Sequence, residues 1–329
     1  MVDGKERGRQ AVSIGISESL PLPSGHVAIL LCSYNGEQFL SQQLDSIKAQ
    51  TYQDWKVWVS DDGSSDRTLE ILRAYQDQWG EDRLQITPGP GRGFAANFLS
   101  LTCRREIDAD YFAYCDQDDV WDADKIERAL ERLETMGRET PGLYCTRTKL
   151  VNEDGQLIGL SPLFRHSPDF RNALVQNVGG GNTMVFNRSA RQILVSAGPD
   201  LQVVAHDWWT YVAVSAAGGK IFYDPEPSLL YRQHGRNLIG SNNGTFARIL
   251  RLRRLMHGQL RGWIDQNIAG IRRIAPRLSP SNRVVLEAFV SARNGGALQR
   301  VLKLKRSGVF RQTFVDNVGL FAAAFFKKL

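Results

Sequence analysis

The chain has 329 residues, room for two domains or for one large domain with an appendage, and its 42% hydrophobic and 23% charged content is that of a globular protein. No apolar run approaches the ~18 residues of a membrane span, the longest being Val318 to Phe326, and the polar N-terminus (Asp3, Lys5, Glu6, Arg7, Arg9) lacks the apolar stretch of a secretory leader. The net charge of +6 conceals an asymmetry: residues 1–240 hold 24 Lys and Arg against 32 Asp and Glu, whereas residues 241–329 hold 17 against three. Such a basic block suits an anionic surface, either a bilayer or nucleic acid.

Residues 1–25 are polar and rich in Gly, Ser and Pro, and read as a flexible tail. From Val27 onward short apolar runs alternate with helix-period segments. Strands are predicted at Val27–Cys32, Lys56–Ser60, Leu84–Ile86 and Tyr111–Cys115, and helices at Glu37–Gln50, Arg67–Trp79, Phe94–Arg104 and Asp124–Met136. Repeated strand-then-helix units predict an α/β fold with a parallel sheet flanked by helices. Past Leu143 the regularity weakens. A hairpin turn at Asn152–Gly155 is predicted between Tyr144–Val151 and Leu157–Leu160, followed by a strand at Thr183–Phe186 after the glycine run Gly179–Gly181. Helices at Ser189–Ser196 and Asp207–Ala217 and strands at Lys220–Tyr223 and Leu229–Arg232 come next, then basic helices at Phe246–Ile274 and Asn282–Lys305. Cys32, Cys103, Cys115 and Cys145 stand singly without CxxC spacing, as reduced core thiols of a cytoplasmic protein do.

In open sheets of this kind ligands gather beyond the carboxyl ends of the strands. The loop after the fourth strand, Asp116-Gln117-Asp118-Asp119, concentrates carboxylates, as a site for Mg²⁺ or Mn²⁺ shared with substrate phosphates would; an acidic helix N-terminus is the alternative. Asp61 and Asp62, after the second strand, are placed to accept hydrogen bonds from a ribose or a base, although Ser65 or Asp66 could simply cap the next helix. Glu37 and backbone groups of the first loop could reach the same nucleotide. Gly91 to Ala96 fits a G-x-G-x-x-A pattern but follows the third strand rather than the first, and no G-x-x-x-x-G-K-[ST] loop occurs. That loop would hold one arginine, Arg92, over a diphosphate.

Together these segments resemble the inverting family 2 glycosyltransferases of the GT-A fold, and within them the bacterial rhamnosyltransferase-like branch. The resemblance spans about Val27 to Gly240. It rests on Cys32-Ser33-Tyr34-Asn35-Gly36-Glu37, Asp61-Asp62-Gly63-Ser64-Ser65-Asp66, Gly93-Phe94-Ala95-Ala96-Asn97-Phe98 and the DxD element in Cys115-Asp116-Gln117-Asp118-Asp119-Val120-Trp121. His206-Asp207-Trp208-Trp209 and Tyr231-Arg232-Gln233-His234-Gly235 point to the rhamnosyltransferase-like branch.

The resemblance implies a GT-A catalytic domain over 26–243, with a nucleotide-binding part over 26–121 and an acceptor-binding part over 122–243, and a basic amphipathic helical region over 244–329. It implies donor contacts from Ser33, Tyr34, Asn35, Glu37, Asp61, Asp62, Arg92, Asn97, Asp116, Gln117, Arg232 and His234, and metal contacts from Asp118 and His234. Asp207 would be the general base, taking the proton of the acceptor hydroxyl opposite the leaving diphosphate; a helix cap is its alternative role, and a loop histidine without special role is that of His234. The implied reaction is transfer of a single sugar, L-rhamnose from dTDP-rhamnose or another from a UDP donor, to a glycan or lipid-linked acceptor of surface polysaccharide such as O-antigen. The Q-x-x-R-W element of processive members is incomplete, since Gln233-His234-Gly235-Arg236-Asn237 lacks the tryptophan. A dinucleotide-dependent oxidoreductase would need a glycine fingerprint after the first strand, and a noncatalytic carbohydrate- or nucleic-acid-binding protein on this fold is the other rival. In the basic region, Arg261, Arg272 and Arg273 interleave with Leu260, Trp263 and Ile264. That pattern suits either the anionic inner face of the cytoplasmic membrane or packing on the catalytic domain; no nucleic-acid motif accompanies it.

Overall fold

The computed structural model describes residues 24–234 and 259–329. The tail expected over 1–25, apart from Ser24 and Gly25, and the expected helix over 246–258 lie outside the described residues. Strand β1 (Val27–Ser33) is buried along its whole length. Val27, Ile29 and Leu31 face one core and Ala28, Leu30 and Cys32 the other, so a strand covered on both sides reads as an unbroken apolar run. It pairs in parallel with β2 (Trp55–Asp61) and β4 (Tyr111–Cys115), aligning Leu31 with Val59 and with Cys115. With β3 (Leu84–Pro88), β6 (Gly142–Thr146), β9 (Val185–Asn187) and β10 (Lys220–Asp224) they form a seven-stranded sheet of order β10-β6-β9-β4-β1-β2-β3. Every strand runs parallel except β9, which is antiparallel to both β4 and β6. Helices α1 (Leu40–Lys48), α2 (Thr68–Trp79) and α4 (Lys125–Glu134) cover one face. The other is covered by α3 (Phe94–Thr102), α5 (Phe170–Ala173), α6 (Arg188–Ala197) and α7 (His206–Ala216).

A second sheet of order β5-β11-β7-β8 contains β5 (Val120–Trp121), β11 (Leu229–Arg232), β7 (Lys149–Val151) and β8 (Leu157–Leu160). The single strand expected over Tyr144–Val151 is divided between the two sheets. Gly142–Thr146 stays in the large one, while Lys149–Val151 forms the predicted hairpin with β8, its turn closed by Gln156 N–H donating to Asn152 Oδ1 at 2.8 Å.

Helices α8 (Gln259–Arg273), α9 (Pro280–Ala292), α10 (Ala297–Ser307) and α11 (Phe314–Phe325) complete the chain. The one helix expected over Asn282–Lys305 is two, because the chain turns at Gly295, whose φ of +99° is glycine's territory. Helix α8 buries Leu260, Ile264, Ile268 and Ile271 in the same core as α7, with Trp263 edge-on to Trp208 at 6.4 Å. Over 259–273 the amphipathic helix therefore packs on the α/β core, leaving Arg261 and Arg272 in solvent. No described helix is long and apolar enough to cross a membrane. Gly270 makes this packing possible, since a Cβ there would lie 2.6 Å from Trp209 Cζ3. Gly270→Val should lower stability by ~1–3 kcal/mol in a denaturant titration, the usual cost of overpacking. An unchanged midpoint would mean that α8 does not dock on α7.

Candidate active site

Parallel pairing of β1, β2 and β4 brings the loops that follow them to one sheet edge, where they line a cavity of about 1220 Å³. Of the residues singled out above, Ser33, Tyr34, Asn35, Glu37, Asp62, Asn97, Asp116, Gln117, Asp118, Asp207 and His234 line it; Asp61, Arg92 and Arg232 do not. Arg92 sits exposed at the tip of the glycine loop after β3.

Hydrogen bonds hold these loops together. Asp61 is buried and accepts from Ser33 Oγ at 2.8 Å, Ser64 Oγ at 2.6 Å, Ser64 N–H at 2.9 Å and Gly63 N–H at 3.2 Å, so it holds the turn after β2. Asp62 clips the glycine loop, accepting from Gly91 N–H at 2.7 Å and Gly93 N–H at 2.8 Å. Asn97 is buried beneath that loop, donating to the Ser60 carbonyl at 2.9 Å. Asn35, in the left-handed region at φ +49°, accepts from Ser65 N–H at 2.8 Å, and Glu37 accepts from Arg67 N–H at 3.1 Å. Gln117 ties the acidic loop to the first loop by accepting from Tyr34 N–H at 2.8 Å and donating to its carbonyl at 3.0 Å.

Within the acidic loop Asp116 faces the cavity, and burial first, then the charges of Asp118 and Asp207, raise its pKa above the usual carboxylate range. Asp119 is also raised, by burial and then by Asp118 and Asp116, but it points inward and accepts from Asn182 Nδ2 at 2.6 Å. Asp118 Oδ2 lies 2.7 Å from His234 Nε2, and the imidazole rests against Phe39 with ring centroids 5.3 Å apart. Among the described residues no three His, Cys, Asp or Glu side chains converge to hold a metal by themselves. The Asp118 and His234 pair supplies two donors, which fits a Mg²⁺ or Mn²⁺ ion completing its shell with diphosphate oxygens and water.

Asp207 lines the cavity from the first turn of α7. Ala205 occupies the cap position. The Asp207 carboxylate instead accepts from Trp208 N–H at 2.6 Å and Gly181 N–H at 3.2 Å. Burial pushes its pKa up to about 6 against those hydrogen bonds. His206 and Tyr231, which stand in the two late motifs without an assigned role, also line the cavity. His206 stacks on Phe98 at 3.9 Å, neither ring nitrogen has a hydrogen-bond partner among the described residues, and burial pushes its pKa down to about 3. The glycine run was the signal for it: a Cβ on Gly181 would collide with His206 Nε2.

The family model described as Glycosyl transferase family 2 matches residues 28–194. The chain is 28% identical over 232 residues to dTDP-rhamnosyl transferase RfbG of Shigella flexneri, a match covering 68% of this chain and 78% of that protein. Two further curated glycosyltransferases are matched over 33% and 62% of their own lengths. Among solved structures, TarS 1–349 of S. aureus in complex with UDP aligns with a TM-score of 0.52 at 14% identity, covering 92% of this chain and 89% of that one. The mannosyltransferase PcManGT from Pyrobaculum calidifontis, in complex with GDP-Man and Mn²⁺, aligns at 0.50 and 17% identity over 92% and 86%. The fold is the GT-A arrangement of these transferases.

Arg232, for its part, braces the acidic loop from beneath. It is buried, donates to the Asp118 carbonyl at 3.2 Å, the Glu153 carbonyl at 2.7 Å and Gln42 Oε1 at 2.6 Å, and lies over the Phe39 ring at 4.4 Å. Arg232→Met, which keeps bulk but removes the donors, should cost ~2–4 kcal/mol of stability by leaving buried acceptors unpaired. A variant as stable as the parent but unable to bind nucleotide would instead make Arg232 a donor ligand.

Proposed function

The chain belongs to glycosyl transferase family 2, and from that membership we propose a metal-dependent, inverting transferase that moves one L-rhamnose from dTDP-rhamnose to a hydroxyl of a lipid-linked glycan. The setting is bacterial surface polysaccharide synthesis at the inner face of the cytoplasmic membrane. The observation that carries this reading is one cavity lined by Asp116, Asp118, His234 and Asp207 together. Rhamnose and dTDP are favoured by the likeness to the Shigella flexneri dTDP-rhamnosyl transferase.

In this reading Asp62, Asn35 and the glycine loop cradle the nucleotide, and Asp116 and Asp118 face its diphosphate. Asp118 and His234 would hold a divalent ion, which when bound would offset the charge developing on the leaving diphosphate. Asp207 accepts the proton of the acceptor hydroxyl as its oxygen attacks C1 of the sugar from the face opposite dTDP. Two backbone N–H groups fix the direction of that carboxylate, while burial keeps it more basic than an ordinary aspartate. Against the oxidoreductase rival, the first loop carries only Gly36, and the place of its missing Cβ is filled by Gln117.

Thermal unfolding against dTDP, UDP, GDP, CMP and NAD, each with and without Mn²⁺ or Mg²⁺, tests the donor site. A nucleotide at about a hundredfold excess over its Kd should add ~2.7 kcal/mol of apparent stability. The expected outcome is stabilisation by dTDP that needs the metal and disappears in Asp118→Ala. Stabilisation by NAD alone, or by no ligand at all, would overturn the assignment.

Asp207→Asn should reduce kcat by ~10²–10⁴-fold while leaving nucleotide-dependent stabilisation intact. A noncatalytic binding protein would lose nothing measurable. Because the base acts unprotonated and its pKa is raised to about 6, kcat/KM should decline below about pH 6, toward tenfold per pH unit. An acid limb near pH 4, where an ordinary aspartate titrates at about 3.9, would remove Asp207 from that role.

A further inference from the structure

We propose that the outer face of α11, together with the β7–β8 hairpin at the mouth of the cavity, is the surface on which this enzyme sits against an anionic lipid bilayer. The inference rests on the reading of a lipid-linked acceptor and deepens it by naming the face that meets the lipid.

Helix α11 is apolar on both sides. Gly319, Leu320, Ala323 and Ala324 pack inward. On the opposite side Phe314, Val318 and Phe325 are 82%, 53% and 47% exposed, at spacings of four and seven residues that set them in one stripe. Val315 and Phe326, 64% and 57% exposed, widen it. A surface helix ordinarily turns polar residues to solvent, and a contiguous apolar patch marks a contact.

The surrounding charge selects the occupant. Lys327 and Lys328 are exposed immediately after the helix, and on α10 the exposed Leu298 and Leu302 are followed by exposed Lys305 and Arg306. From residue 241 onward the chain has only three acidic residues, and Asp316, the one within α11, is tied to its N-cap, the Thr313 hydroxyl accepting from Asp316 N–H and donating to its carboxylate. Phenylalanines at the acyl boundary with lysines at phosphate level are what an anionic bilayer rewards.

The hairpin extends this surface to the active site. Strand β8 is an edge strand, yet it exposes Leu157 and Ile158 at 66% and 58%, and Leu163 just beyond it at 42%. The adjoining Ser161, Pro162 and Phe164 line the cavity. The same strand exit is tied to the start of α11, because His166 N–H donates to Gln312 Oε1 at 2.9 Å and Gln312 Nε2 donates back to the His166 carbonyl at 2.8 Å. A lipid-linked acceptor lodged in the headgroup layer would thus have its sugar beside the cavity mouth.

The test is co-sedimentation of the full chain with vesicles of phosphatidylglycerol and phosphatidylcholine, and with phosphatidylcholine alone. Phe314→Ser/Val318→Ser/Phe325→Ser should reduce partitioning about tenfold or more, and Leu157→Ser/Ile158→Ser severalfold. Lys327→Ser/Lys328→Ser should reduce binding only to phosphatidylglycerol and only at low salt. Phe314→Ser alone, at the most exposed of these positions, keeps the test decisive should the triple variant fail to fold. Variants that partition like the parent, or a parent that ignores vesicles, would overturn the proposal. So would a parent dimer in analytical ultracentrifugation that the triple variant dissociates, since the stripe would then belong to a second copy. Nucleotide-dependent thermal stabilisation is read separately: its absence in a parent that binds vesicles overturns the transferase reading and leaves the lipid surface standing.

Discussion

The site depends on the burial of β1 between β2 and β4 in parallel register. Each of its side chains from Val27 to Leu31 is withdrawn from water, alternately into the two cores, so a shift by one residue would exchange the sides on which all of them pack. With the register locked, Ser33, Asp61 and Cys115 end at one edge, and the loops beyond them converge. Parallel pairing also forces helical crossovers between these strands, which supplies the cover on both faces.

Carboxylates so close together repel, and much of the surrounding architecture answers that repulsion. The acids divide by what they touch. Asp61 and Asp119 spend their oxygens on backbone and side-chain donors and shape the loops. Asp116, Asp118 and Asp207 face the cavity, where a ligand's charge can meet them. Gln117, Asn182, Arg232 and His234 tie the acidic loop to the first loop, the glycine-run loop and β11. Any change in one of these ties would be felt as a displacement of the carboxylates that line the cavity.

The first half of the fold was legible because each strand there is a nearly pure apolar run and each helix a periodic one, as in Tyr111–Cys115 and Lys125–Glu134. Spacing along the chain does not reveal a switch between sheets. The segment from Tyr144 to Val151 is apolar enough for one strand, but the chain leaves the large sheet after Thr146 and joins the small one at Lys149. Likewise the three-residue β9 carries no mark of its antiparallel direction, which tertiary pairing imposes. At the site, acidic loops announce themselves by composition. The work of Arg232 is hidden, because an arginine two residues from His234 reads as a diphosphate cation until it is seen to join the acidic loop to the Glu153 turn and to Gln42 of α1. His206 was obscured by its neighbour: the aspartate beside it has an obvious chemistry, whereas an imidazole stacked between Phe98 and the glycine run acquires meaning only through packing.

The small sheet bears on how the molecule is made. Strand β11 pairs with β5, formed more than a hundred residues earlier, and the segment ending at His234 supplies the brace and the imidazole of the acidic loop. During synthesis the large sheet has strands β1 to β4 available long before Leu229 leaves the ribosome. Until then the nascent chain carries a crowded, unbraced acidic loop on a half-built scaffold. Such distant closures are slow to form, so it is a late step in assembling the α/β sheets that brings the acidic loop its brace, and a chain terminated before Leu229 would carry the acids without the residues that organise them.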